Sequence, residues 1–213
     1  MLAAVAKTLG MRPFLALLGL ALLAACTRSP APAPEATPIV RLAVITDLKG
    51  YLEPCGCTST PLGGIDRLAA QVERLREDGV PLAFLAACDV FFDTEALEPA
   101  RVDQAQRNAK TMVGILNGLG LTAVVPGSAD RAQPPELLAE LREASEFTWL
   151  ADTAELELTQ RDVGGVKLAL LGARSDAGVE ALREAGLGAS KEADLSVLLV
   201  DGSRRDANKL GSL

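Results

Sequence analysis

Thr46-Asp47-Leu48-Lys49-Gly50-Tyr51-Leu52-Glu53-Pro54-Cys55-Gly56-Cys57, followed by Leu62-Gly63-Gly64-Ile65-Asp66-Arg67, carries most of the information in this chain of 213 residues. The segment before it, Arg41 to Thr46, alternates and then turns apolar as a buried strand does, so Asp47 falls at a strand's C-terminal end. Gly63-Gly64 opens an amphipathic helix. Ile65, Leu68, Ala69, Val72 and Leu75 share one of its faces, Arg67, Glu73, Arg74 and Glu77 take the other, and Asp78-Gly79 stops it.

The same order of strand, loop and helix repeats downstream. Pro81 to Ala87 is a continuous apolar run, the pattern of a central strand covered on both faces, and it delivers Cys88-Asp89. A helix is expected from about Val102 to Leu119, a third strand from Leu121 to Val125, and then a turn at Pro126-Gly127-Ser128-Ala129-Asp130. Glu136 to Ala144 reads as a short helix and Phe147 to Leu150 as a fourth strand. Glu155 to Arg161 and Val166 to Leu171 flank Asp162-Val163-Gly164-Gly165, a hairpin signal. A helix around Ala177 to Glu184, a strand from Leu195 to Val200 and a helical stretch from Ser203 to Lys209 complete the pattern. The fold class is therefore α/β, layered, with a largely parallel first sheet. Open α/β sheets place ligands beyond the C-terminal strand ends, so Asp47, Cys88-Asp89 and Gly127 to Asp130 should converge.

These loops resemble those of the calcineurin-type metallophosphoesterases, in the 5'-nucleotidase-like branch. The match is strong over Val44 to Arg67 and weak beyond it. The resemblance implies a metallophosphoesterase-like sandwich, incomplete here because its later histidine loops have no counterpart and Lys209 to Leu213 reads as an interrupted helix. In the family pattern the first loop supplies Asp-x-His, the second Gly-Asp, and the third Gly-Asn-His followed by an acidic residue. Asp47 and Asp89 match, while Lys49 replaces the first histidine, Cys88 the glycine, Ser128 the asparagine and Ala129 the catalytic histidine. Asp130 matches the acidic position.

The implied chemistry is hydrolysis of a nucleotide or other phosphate ester by two cations held about 4 Å apart around a bridging hydroxide. The chain contains no histidine. Directional nitrogen ligands and an imidazole proton donor are both missing, and Ser128 has no histidine for a triad. Asp47 and Asp89 then read as vestigial metal positions that cap helices or pair with Lys49, whose ammonium replaces a cation's charge. No cofactor is expected on this reading. The alternative is a hydrolase holding manganese, zinc or a similar divalent ion on Asp47 and Asp89, with Cys88 as an optional third ligand, or with histidines supplied by a partner chain.

Cys55, Cys57 and Cys88 are the other candidates for chemistry. An exported chain favours disulfides, and a bond from Cys88 to Cys55 or Cys57 would close a loop of about thirty residues, worth roughly 3 kcal/mol by loop-closure entropy. A three-thiolate site for zinc or copper(I) and unpaired buried thiols remain open.

Export itself is read from the N-terminus. Lys7 and Arg12 precede the uncharged run Pro13 to Ala25, too short for a spanning helix of about 20 residues and suited to a signal peptide over residues 1–25. Leu23-Ala24-Ala25-Cys26 resembles a bacterial lipobox with Cys26 as the acylated residue, and Thr27 after it implies sorting to the outer membrane. Ser29 to Pro38 alternates proline with small residues, so that 26–38 read as a tether in extended polyproline form, leaving 39–213 as the domain. A net charge of -7 without a basic run, and 3% aromatic residues, leave no footprint for nucleic acid. Arg204 and Arg205 read as solvated. The expected function is a lipid-anchored envelope protein, facing the periplasm or the cell surface, that serves as a binding or structural module for an envelope partner or an undefined small molecule. The alternatives are the metal-dependent phosphoesterase and a thiol-based redox or soft-metal lipoprotein.

Overall fold

A computed structural model describes residues 39–54, 63–154, 156–174, 176–189, 191 and 193–202, all within one compact unit, Pro38–Leu213. Cys55, Cys57, the stretch from Ser203 onward and residues 1–38, where the signal peptide, acylated Cys26 and tether are expected, lie outside the described residues.

Four strands form a wholly parallel sheet in the order β1 (Arg41–Thr46), β2 (Leu82–Cys88), β3 (Leu121–Pro126) and β4 (Thr148–Trp149). The apolar run of β2 explains its central place, for Ala83, Phe84, Leu85 and Ala86 have no exposed surface at all. Alternation then divides the strand between two cores. Phe84 and Ala86 face the helix layer of α1 (Ile65–Arg76), α2 (Val102–Gly118) and α4 (Pro135–Glu143), through Val72, Met112, Leu116 and Leu141. Ala83, Leu85 and Ala87 face a second sheet. Each fully buried leucine or phenylalanine contributes about 1.5–3 kcal/mol, so these two layers dominate the stability of the domain.

The second sheet runs β5 (Leu156–Val163), β6 (Val166–Arg174), β7 (Leu195–Asp201), antiparallel between β5 and β6 and parallel between β6 and β7. Gly164 and Gly165 both take positive φ, 62° and 87°, as a tight hairpin with the twist of its strands requires, and Asp162 Oδ1 accepts the Gly165 N–H at 2.9 Å. Leu168, Leu170, Val197 and Leu199 face the first sheet. Leu171 and Ala173 face outward onto Leu182 of α5 (Val179–Ala189). The result is a four-layer α/β/β/α sandwich. Leu42 and Val44 of β1 stay 40% and 52% exposed.

The expected hairpin, parallel sheet and helices up to residue 189 are present, most ends shifted by a residue or two, while β6 runs three residues further and the helix expected to end at Glu184 continues to Ala189. The helical stretch expected over Ser203 to Lys209 lies outside the described residues. One element departs from expectation: Ser128–Arg131 is a one-turn helix, α3, where the sequence reads as a turn. No helix among the described residues is long and apolar enough to cross a membrane.

Candidate functional site

The three strand ends meet, as their order along the sequence requires. Beyond the last paired residues the first and second loops continue to bond, Lys49 N–H to the Asp89 carbonyl and Gly50 N–H to the Val90 carbonyl, both at 3.0 Å. The second and third loops are joined by carboxylates. Asp89 Oδ1 accepts the Ala129 N–H at 2.9 Å and so caps α3 from another loop. Asp130, fully buried, accepts from Val90 at 2.8 Å and from Phe91 and Phe92 at 2.9 Å, with a longer bond from Gly127 at 3.3 Å.

Burial pushes the Asp130 pKa up, to about 7, against the pull of the amides of Val90, Phe91 and Phe92. With both oxygens accepting from N–H donors, the geometry is that of a carboxylate holding two loops together.

Backbone strain gathers at the same edge. Asp47, Lys49 and Cys88 all take left-handed φ, 56°, 53° and 64°, a conformation side chains other than glycine, asparagine and aspartate seldom adopt. At Cys88 the consequence is visible. Strand alternation would send it to the helix side with Phe84 and Ala86, yet it packs in the core between the sheets, 3.9 Å from the Val200 carbonyl. Burial raises the pKa of this free thiol, and Asp201, Asp47 and Asp89 raise it further, while a backbone bond from Gly202 lowers it. Its candidate disulfide partners, Cys55 and Cys57, lie outside the described residues.

Asp201 closes the edge from the second sheet. Its carboxylate pairs with Arg131 at 2.7 Å, both side chains mostly buried, and the same guanidinium donates to the Pro126 carbonyl. Nothing in the sequence tied Asp201 to Arg131, because the pair spans 70 positions and two sheets. Ser128 and Ala129 form the start of α3, and Lys49 belongs to none of the ion pairs among the described residues.

This arrangement of two sheets between helix layers, with loops gathered at the parallel strand ends, is a metallophosphoesterase-like fold of 5'-nucleotidase-like form. Solved structures similar to it include a 5'-nucleotidase precursor from Thermus thermophilus, at TM-score 0.65 and 22% identity over 79% of this chain and 38% of that one. NAD nucleotidase of Haemophilus influenzae gives TM-score 0.63 and 13% identity over 79% and 35%, and sulfate thiohydrolase SoxB of Thermus thermophilus gives 0.60 and 15% over 79% and 44%. The chain thus spans 35% to 44% of these proteins' length, and at such identities the likeness is one of fold. No protein-family model and no curated protein matches the sequence.

The resemblance of the strand-end loops implies a two-metal centre at this edge; Asp47 and Asp89 keep carboxylates there, while the positions of the family histidines supply no nitrogen ligand. Asp89 already bonds α3, Asp201 already bonds a guanidinium, Ala129 has no ligand atom and Lys49 brings a positive charge. No three His, Cys, Asp or Glu side chains among the described residues are grouped to hold a metal ion.

Proposed function

We propose that this protein is a lipid-anchored envelope lipoprotein whose metallophosphoesterase-like domain acts as a binding or structural module without hydrolytic activity. The observation that carries the reading is the bond from Ala129 N–H to Asp89 Oδ1. It joins the one second-loop carboxylate that matches the family pattern to the third-loop position where the pattern has a histidine. The carboxylate thus serves the architecture of the edge, and the residue beside it has no group for acid catalysis. Anchoring follows from Leu23-Ala24-Ala25-Cys26, acylation of Cys26 giving several buried chains at roughly 0.8 kcal/mol per methylene, and the tether to residue 38 sets the domain off from the membrane. Outer-membrane sorting and an envelope partner complete the proposal.

The full chain, purified in detergent, is to be assayed for bound metal by elemental analysis and for phosphodiesterase and nucleotidase turnover with added manganese. Neither metal at stoichiometry nor turnover is the expected result. Turnover that disappears in Asp47→Ala and Asp89→Ala would overturn the reading, and metal dependent on the cysteines would move it to the thiolate alternative. Labelling with a fatty-acid analogue, lost in Cys26→Ser, tests the anchor.

A further inference from the structure

We propose that a cavity on the helix side of the strand-end edge binds a small organic acid through a single carboxylate. The inference concerns a site apart from the strand-end carboxylates and stands whether or not those hydrolyse anything. The cavity, about 150 Å³, lies between the first loop, the second loop and α2, and is lined among others by Lys49, Tyr51, Phe91, Arg101, Gln104 and Asn108. At about 30 Å³ per liquid water, that volume takes roughly five waters or a molecule of about six to eight heavy atoms.

Its charge decides the class of ligand. Arg101 is matched by Asp93 at 2.7 Å, so that pair brings no net charge. Lys49 is partly buried and has no ion-pair partner among the described residues, leaving one uncompensated positive charge in the lining. A chain of net charge -7, with Asp93 in the same wall, would repel a phosphate dianion more than a carboxylate monoanion.

The neutral groups suit the same ligand. Gln104 Nε2 donates to Asn108 Oδ1 at 2.7 Å and Asn108 Nδ2 to the Gly50 carbonyl at 3.4 Å, so both amides are held and each keeps a second N–H for an acceptor. Half-exposed Tyr51 and partly exposed Ala105 offer apolar surface for the rest of the molecule, backed by the buried Phe91 and Phe92.

Binding is read by amide chemical shifts of the isotope-labelled full chain in detergent, titrated with butanoate, pentanoate, inorganic phosphate and methylammonium. Saturable shifts centred on residues 49–51 and 101–108 with the two carboxylates, and none with methylammonium, are expected. Lys49→Gln should weaken carboxylate binding at least tenfold, Lys49→Arg should retain it, and Ala105→Leu, which fills the cavity from the opposite wall, should abolish it. Equal binding by Lys49→Gln, or no saturable shifts at all, would overturn the site. Phosphate binding tighter than either carboxylate would overturn the assignment of ligand class. Because the readout is binding rather than turnover, failure here leaves the non-hydrolytic reading untouched, and metal-dependent turnover would leave this site untouched.

Discussion

The two halves of the strand-end edge are built on opposite principles. Between the second and third loops, carboxylates are consumed by backbone amides: Asp130 gathers four N–H groups and Asp89 a fifth, with little left facing solvent. In the first loop, by contrast, Asp47 is exposed, Tyr51 is half exposed and Lys49 faces a cavity without an anionic partner among the described residues. One half is scaffold and the other is available. At this edge Asp89 and Asp130 serve the architecture as hydrogen-bond acceptors, while the first loop leaves its polar groups turned outward.

The largest effect should come from breaking the scaffold half. Asp130→Ala leaves four buried N–H groups without their acceptor, a loss expected at about 4 kcal/mol or more, read as a lower denaturant midpoint or as failure to fold. Gly127→Ala comes next, since its Cβ would stand 2.1 Å from Asp89 Oδ1 and 2.4 Å from the Asp89 nitrogen, backbone that cannot swing away. About 2–3 kcal/mol is the expected cost by thermal or denaturant unfolding, in the range for overpacking. Asp89→Asn keeps an oxygen to accept the Ala129 N–H, so its loss should stay within about 1 kcal/mol. A larger loss would mean that the charge of Asp89, and not its acceptor alone, holds α3.

The available half gives the smallest effect on stability and a sharper one on chemistry. Asp47→Asn should shift stability by less than about 0.5 kcal/mol, as exposed substitutions do. On a background with Cys26, Cys55 and Cys57 changed to serine, it should lower the pH midpoint for alkylation of Cys88, because the Asp47 charge raises that thiol's pKa. An unmoved midpoint would place Asp47 farther from Cys88 than the convergence of the loops requires.

Much of the scaffold was legible in the sequence. The apolar run of β2 announced a strand buried on both faces, the face of α1 was set by Ile65, Leu68, Ala69 and Val72, and Asp162 to Gly165 marked the hairpin. The convergence of Asp47, Asp89 and the Gly127 loop followed from strand order alone. What escaped was the set of partners that only the finished fold supplies. Asp130 could be matched to an acidic position, but three of its four amide donors lie about forty residues away, and the Arg131–Asp201 pair is more distant still. The one-turn helix at Ser128–Arg131 is too short to nucleate by local propensity, so it depends on Asp89 for its cap. The left-handed φ of Cys88, which turns it into the core between the sheets, has no local signal either.

The central claim is that the acidic residues of this edge hold the protein together and do not hold metal. The most direct measurement is thermal unfolding of the full chain in detergent across a manganese titration from micromolar to millimolar. A ligand at a hundred times its Kd stabilises by about 2.7 kcal/mol, so occupancy of a site in the native state would raise Tm by several degrees. The account predicts a flat Tm, in the intact chain and in Asp47→Ala alike. A saturable rise that vanishes in Asp47→Ala or Asp89→Ala would contradict it.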